Sequence, residues 1–484
     1  MAFHLFHLEH DSKHSLQQQL KIQLTKAIFN GSVSLEKALP SSRQLAQDLK
    51  ISRNTVVRVY EQMLSENLIV SKQRSGYFIN PQYQPLHILE TTGQEIQDSV
   101  DWEQFLPRKL SQQANIVKHQ HWQRYKYPFI YGQFDPQSFP IAQWRECSRD
   151  SVSVAAIGNW ASDQLQDDPM LIEHIQTHIL PRRGIAAKNS QIMITVGAQH
   201  AVYLTTRLVL REGDTFGIED PNYVDVRNIA LNRPANILPL AIDKEGLIIS
   251  EELASCDCIY VTPSHQFPTT VTMTIERRKA LLKKAAEHNF LIIEDDYEAE
   301  TNFTGVPSPA LKSIDQAGRV IYVGSFSKTL APGLRLGYMV GDENLIREAQ
   351  ALRRLMLRQA PMNNQRSVAL FIARGYYDIL INKQRINYQM KWHLMNQALQ
   401  QHIPDSSIQP TFGGSSYWVE GPTTLNADTL ATAAREKGIL IEPGAIYYCA
   451  TQQSHCFRLG YGSIAPELIE PGIKALADII KTLS

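Results

Sequence analysis

Leu16, Leu20, Leu24, Ala27 and Ile28 recur at helical spacing after Ser15, and Gly31 supplies a stop, so the pattern predicts an amphipathic helix here. After Pro40 a second, shorter helix starts near Ser41 or Ser42 and presents Leu45, Ala46 and Leu49. A third starts near Asn54 and presents Val56, Val59, Tyr60, Met63 and Leu64. The short connection between them has about the length of a helix-turn-helix turn. Leu68 to Val70, the polar turn Ser71 to Ser75, and Gly76 to Ile79 then read as a two-stranded wing.

The pattern changes twice beyond Asn80. Residues 81–126 are polar, dotted with Gln, and weakly periodic apart from a short helix expected near Leu110 to Trp122. This is a linker, longer than ordinary loops and so expected to be functional. From Tyr127 to Ser484 short apolar runs of β character alternate with amphipathic stretches, the pattern of an α/β domain. The chain is thus multidomain, divided as 12–80, 81–126 and 127–484.

Charge sharpens the division. The 484 residues carry 48 basic and 48 acidic side chains, a formal net charge of zero, which excludes a uniformly basic nucleic-acid coat. Residues 1–80, however, hold 10 Lys and Arg against 6 Asp and Glu, leaving 38 against 42 for the rest. The basic excess sits on the segment with the helix-turn-helix pattern. No apolar run reaches the roughly 18 residues of a membrane span, and the chain start does not build a signal-peptide core. A soluble, cytoplasmic protein is expected. The five cysteines lack a C-x-x-C pair, against a disulfide framework or a zinc site. His4, His7, His10 and His14 share a helical face, but a solvated terminus is the expected reading, and no metal is assigned.

The polar residues of the first segment cluster where such a fold meets DNA. Ser42 and Arg43 open the second helix, where amides and a guanidinium can hold a phosphate. Arg53, Asn54, Thr55 and Arg58 open the third, whose first turn would enter the major groove. Gly76 lets the wing backbone approach phosphate closely. The string LPSSRQLAQDLKISRNTVVRVYEQMLSENLI followed by SGYFI resembles the winged-helix domain of GntR-type bacterial regulators. That resemblance implies double-stranded operator DNA as partner.

In the large domain the decisive run is Gly324-Ser325-Phe326-Ser327-Lys328-Thr329-Leu330-Ala331-Pro332-Gly333-Leu334-Arg335, after the strand-like Val320 to Val323. Two hydroxyls and an arginine around one lysine can grip a phosphate while the amine forms a Schiff base. The run resembles the Schiff-base segment of fold-type I aminotransferases, and so implies pyridoxal 5'-phosphate on Lys328, held by Ser325, Ser327 and Arg335. Ile192 to Val196 followed by Gly197-Ala198-Gln199 reads as strand, turn and helix N-terminus, an anion cradle at Ala198 and Gln199. Phe290 to Ile293 is a buried-strand candidate ending in Glu294-Asp295-Asp296-Tyr297. The resemblance implies that Asp295 pairs with the pyridinium nitrogen, that Tyr297 donates to the ring hydroxyl, and that Tyr223 stacks on the ring. It also implies that Arg458, in Phe457-Arg458-Leu459-Gly460-Tyr461, binds the carboxylate of the effector.

This domain order resembles the MocR-type regulators, whose best-known member is the γ-aminobutyrate sensor. The resemblance implies a domain-swapped, head-to-tail homodimer that senses an amino compound by forming an external aldimine, without turnover in the cell. The rival is an active aminotransferase with an autoregulatory DNA-binding domain. Ser264-His265-Gln266-Phe267-Pro268-Thr269-Thr270 favours the regulator: Phe267 stands where aminotransferases carry an Asn bonding the cofactor hydroxyl. Two departures matter. Thr270 replaces the usual glycine, and Asp163 to Ile175 lacks the expected Asp-Pro-x-Gly pattern, so the contact to phosphate from a second subunit is not carried over. Asp225 stands where the γ-aminobutyrate sensor has an arginine, which points to a different amino effector, one with a second cationic group.

Overall fold

Serine hydroxyls fix where the first helices begin. In the computed structural model Ser41 Oγ accepts the Gln44 N–H at 3.2 Å and Ser52 Oγ accepts that of Thr55 at 3.1 Å. Both are N-caps, satisfying amides that a helix start leaves unbonded. The elements of this unit are α1 (Leu16–Phe29), α2 (Ser42–Asp48), α3 (Arg53–Ser65), β1 (Ile69–Lys72) and β2 (Gly76–Ile79). Helix α3 starts one residue before the expected Asn54, because Ser52 caps it. Leu20, Leu24, Leu45, Val56, Val59, Met63 and Ile79 form one core, and the Tyr60 hydroxyl ties α3 to the Pro40 carbonyl at 2.8 Å. β1 and β2 pair antiparallel, Ile69 opposite Ile79 and Lys72 opposite Gly76.

The structure describes the chain apart from residues 1–5, 7, 10, 11, 13, 30, 34–36, 74, 83–99, 107, 133–137, 156, 162–164, 234, 303–308, 405, 409–412, 450–452 and 484. His4, His7, His10 and Asp163 therefore lie outside the described residues. Among those described, no group of His, Cys, Asp or Glu could hold a metal, and no helix is long and apolar enough to cross a membrane. The chain divides into two units, Met1–Lys109 and Leu110–Ser484.

The larger unit is built on an eight-stranded sheet in the order Ile192–Thr195, Gly337–Val340, Val320–Ser325, Leu291–Asp296, Cys258–Val261, Thr215–Asp220, Asn236–Asp243, Gly246–Leu247. Gly337–Val340 runs antiparallel to both neighbours, and Gly246–Leu247 closes a hairpin; the remaining pairs are parallel. Its near-continuous apolar strands are buried on both faces, as a sheet covered by helices requires. A second, antiparallel sheet contains Ser416–Glu420, Cys456–Gly460 and Glu442–Pro443. Helices Tyr376–His402, Ala427–Glu436 and Ile469–Leu483 share its core.

The helix expected near Leu110 to Trp122 does not form. Single turns occur at Leu110–Gln112 and Trp122–Arg124. Ile116 packs against the aromatic cluster, but Val117 is 81% and Leu110 54% exposed, and a short helix with so little packing is marginal. Instead the stretch is pinned to the larger unit, with Asn228 Nδ2 donating to the Ala114 carbonyl at 2.7 Å.

Candidate functional site

Strand alternation sorts three consecutive acids. Side chains along Leu291–Asp296 point alternately to opposite faces, so Asp295 faces away from Glu294 and Asp296. The expected strand end at Ile293 is thus passed, and the acids belong to the strand itself. Asp296 pairs with Arg183 at 2.7 Å and accepts the Tyr322 hydroxyl at 2.9 Å. Burial alone would raise its pKa, but Arg183, Ser264 and Tyr322 hold it below the usual carboxylate range. Glu294 accepts the N–H groups of Leu311 and Lys312 at 2.7 and 2.9 Å. Asp295 instead faces a cavity, where burial pushes its pKa up to about 7, against a 2.7 Å hydrogen bond from the Tyr260 hydroxyl.

The cavity measures about 230 Å³ and opens at the carboxyl ends of the parallel strands, the usual position for ligands in such sheets. Lys328, Asp295, Tyr297, Ser325, Ser327, Arg335, Tyr223, Ala198 and Gln199 all line it. Lys328 Nζ lies 3.9 Å over the Tyr131 ring. Burial brings its pKa down to about 7, with the Lys118 and Arg458 cations acting in the same direction and Glu298 and Glu442 opposing. A neutral amine is therefore accessible near pH 7, the form that attacks an aldehyde.

Two glycines make room. Gly132 has φ +75, and a Cβ there would lie 2.7 Å from Lys328 Nζ and 3.4 Å from Lys118 Nζ. Gly197, φ +79, is the N-cap of helix Ala198–Val209, and a Cβ there would crowd the Arg335 guanidinium at 3.4 Å. Arg335, the N-terminal amides of that helix and the hydroxyls of Ser325 and Ser327 thereby form an anion cradle. Asp295 Oδ1 and the Tyr297 hydroxyl are buried without hydrogen-bond partners. A pyridine nitrogen and a ring hydroxyl would satisfy them, so the residues fit pyridoxal phosphate.

Arg458 is not among the residues that line the cavity. It is fully buried, its guanidinium 3.5 Å over the Tyr131 ring and 4.2 Å over that of Phe267, with Nε donating to Ser416 at 2.9 Å. Both its Nη atoms lack hydrogen bonds. Asp225 does line the cavity, where it accepts the Tyr223 hydroxyl at 2.9 Å and Gln199 Nε2 at 3.2 Å. Nearby Arg227 donates to the carbonyls of Tyr448 and Ile446 instead. Asp225 thus holds Tyr223 and Gln199 in place. Phe267 packs edge-on against Tyr131, Tyr223, Tyr297 and Tyr447. Thr270 adopts φ +65 and keeps the turn that glycine would favour. Tyr131, Tyr260 and Lys118 were missed in the sequence; each gains its meaning only from contact with a distant segment.

In the amino-terminal unit, Arg43, Arg53, Asn54, Arg58 and Gly76 are exposed, and Ser42 and Thr55 half-buried. Arg53 Nε donates to Ser42 Oγ at 3.5 Å, bringing the starts of α2 and α3 together. The Thr55 hydroxyl shares a 2.9 Å hydrogen bond with Ser52, so it serves the cap of α3.

Residues 133–476 match the family model for aminotransferase class I and II, and residues 16–79 that for bacterial regulatory proteins of the gntR family. The HTH-type transcriptional regulator TauR of Rhodobacter capsulatus is 36% identical over 98% of this chain and 99% of its own length. The probable rhizopine catabolism regulatory protein MocR of Rhizobium meliloti is 27% identical over 97% and 94%. Among solved structures, the kynurenine aminotransferase of Pyrococcus horikoshii aligns at TM-score 0.69 and 27% identity, covering 80% of this chain and 95% of that one.

Proposed function

The chain belongs to the MocR-type family, in which a GntR winged helix is fused to an aminotransferase class I and II domain, and on that premise we propose that it is a pyridoxal phosphate-dependent transcriptional regulator answering an amino compound. One observation carries the cofactor assignment: Lys328 shares a cavity with Asp295 and Tyr297, each holding a buried, unbonded polar atom. Bound there, the cofactor supplies an aldehyde for Lys328 and an electron-withdrawing ring. Asp295 holds the ring nitrogen, Tyr297 donates to the ring hydroxyl, and Tyr223 lies against the ring. Arg335, Ser325, Ser327, Ala198 and Gln199 hold the phosphate.

With the cofactor bound, an effector amine would contend with the Lys328 amine for the same place in the cavity. An effector that binds one arrangement of the large unit more tightly than another shifts their populations, and DNA affinity with them. Ser42, Arg43, Arg53, Asn54, Arg58 and Gly76 make the DNA contacts, with Thr55 holding the reading helix in shape. The family implies that two copies act together, head to tail, giving two such surfaces on the operator.

Replacing Lys328 with Ala tests this. The visible band of the bound cofactor and the response of DNA binding to amines should both vanish, while basal DNA binding persists. Arg53→Ala should do the reverse. Amine-responsive DNA binding in the Lys328→Ala protein would overturn the reading.

A further inference from the structure

Arg458, the guanidinium that the family resemblance assigns to the effector's acid group, is sealed behind Tyr131 and Phe267. The cation that borders the open cavity at the Lys328 end is Lys118. Arg335 lies at the other end, against Gly197. Lys118 comes from the stretch joining the two units. It makes no hydrogen bond or ion pair to another described residue. Its Nζ and that of Lys328 both lie over the bare backbone of Gly132, at 3.4 and 2.7 Å from the position of an added Cβ.

Asn115, Ile116 and Lys118 line both the cofactor cavity and a second cavity of about 470 Å³. Val117 between them is 81% exposed. Ala114 and Ile116 tie this segment to the larger unit, while the Lys118 side chain itself is exposed.

We propose that Lys118 binds the acid group of the effector, making the linker itself part of the effector site. The inference rests on the cofactor-sensing reading above. An amine taking the place of Lys328 Nζ would lie beside Gly132, where a carboxylate a few bonds away would be within reach of the Lys118 ammonium. Effector binding then pulls on the segment that leads to the DNA-binding unit. Glu442 lies at the same end, where burial raises its pKa and the Arg458, Lys118 and Lys328 cations act against that.

The test uses full-length, cofactor-loaded protein titrated with β-alanine, γ-aminobutyrate and 5-aminovalerate, and with propylamine, butylamine and pentylamine, read from the visible band. Wild type should prefer at least one acid to its amine. Lys118→Ala should lower that preference by ~10-fold, about the worth of one charged contact, the acid losing more than its matched amine, and Lys118→Arg should restore most of it. The preferred acid, but not its amine, should slow trypsin cleavage after Lys118. An unchanged preference in Lys118→Ala, or one abolished only by Arg458→Gln, would overturn the proposal. A wild-type protein whose band responds to no compound would overturn the sensing reading and this proposal with it.

Discussion

The Tyr260 hydroxyl donates to Oδ2 of Asp295 at 2.7 Å, joining neighbouring parallel strands at the floor of the cavity. The bond favours the ionised carboxylate, which burial otherwise opposes. Tyr260→Phe should therefore weaken cofactor retention by about tenfold, within the range of one hydrogen bond to a charged group. Equilibrium release of the cofactor, followed by its absorbance, checks this. The fold should survive, because the ring stays.

The pH dependence of cofactor loading follows from two groups with the same sign. Lys328 attacks only when neutral, and its pKa lies at about 7 instead of the usual 10.5. Below that pH its neutral fraction falls about tenfold per unit. Asp295, also at about 7, must be ionised to hold the ring nitrogen. Loading rates of apoprotein should rise with pH up to about 7 and then level. In Asp295→Asn the rate profile should persist while affinity drops, which separates the two groups. Lys118→Ala should move the profile to higher pH, since a cation that depresses the lysine is gone.

Cap and contact can be separated in the amino-terminal unit. Ser52→Ala should cost about 1 kcal/mol of stability by removing the α3 cap. Arg43→Ala should leave stability nearly unchanged and reduce the salt dependence of DNA binding by about one counterion. Denaturation and binding titrations over a salt series check both.

Much of this site was legible because its chemistry sits in contiguous runs. Ser325 to Arg335 carries a lysine, two hydroxyls and an arginine in one stretch, and Asp295 and Tyr297 sit at the end of a single apolar strand. What escaped depends on segments far apart in sequence. Tyr260 reads as one more core residue until Asp295 lies beside it. The expected helix over Leu110 to Trp122 failed because too few of its apolar residues pack: Ile116 does, while Leu110 and Val117 stay exposed. Arg458 was identified from its motif, but no motif tells that Tyr131 and Phe267 close over it.

Thr270 combines a β-branched side chain with φ +65, a costly backbone state for any residue but glycine. Its hydroxyl donates to the Thr269 carbonyl at 2.6 Å and it is fully buried. Thr270→Ala keeps the strain and loses the contacts, so it should destabilise by about 1–2 kcal/mol. Thr270→Gly loses the same contacts but relieves the strain, worth about 1 kcal/mol. Thermal melts should therefore rank glycine above alanine at this position.

Phe267 bears on whether the site works as an enzyme. The resembled aminotransferases place there an asparagine whose amide bonds the cofactor hydroxyl; a phenyl ring has no such donor. Here the ring centroid lies 5.8 Å from that of Tyr297, leaving the Tyr297 hydroxyl as the donor at that oxygen. The same ring, with Tyr131, shuts Arg458 away from the cavity. One donor fewer and a sheltered guanidinium favour a sensor over a working transaminase, since repeated proton transfer needs fixed geometry. Overnight incubation with amino donors and an α-keto acid should yield no more than about one turnover per site, counted as keto product by chromatography. Many turnovers would instead identify an active aminotransferase with a DNA-binding domain attached.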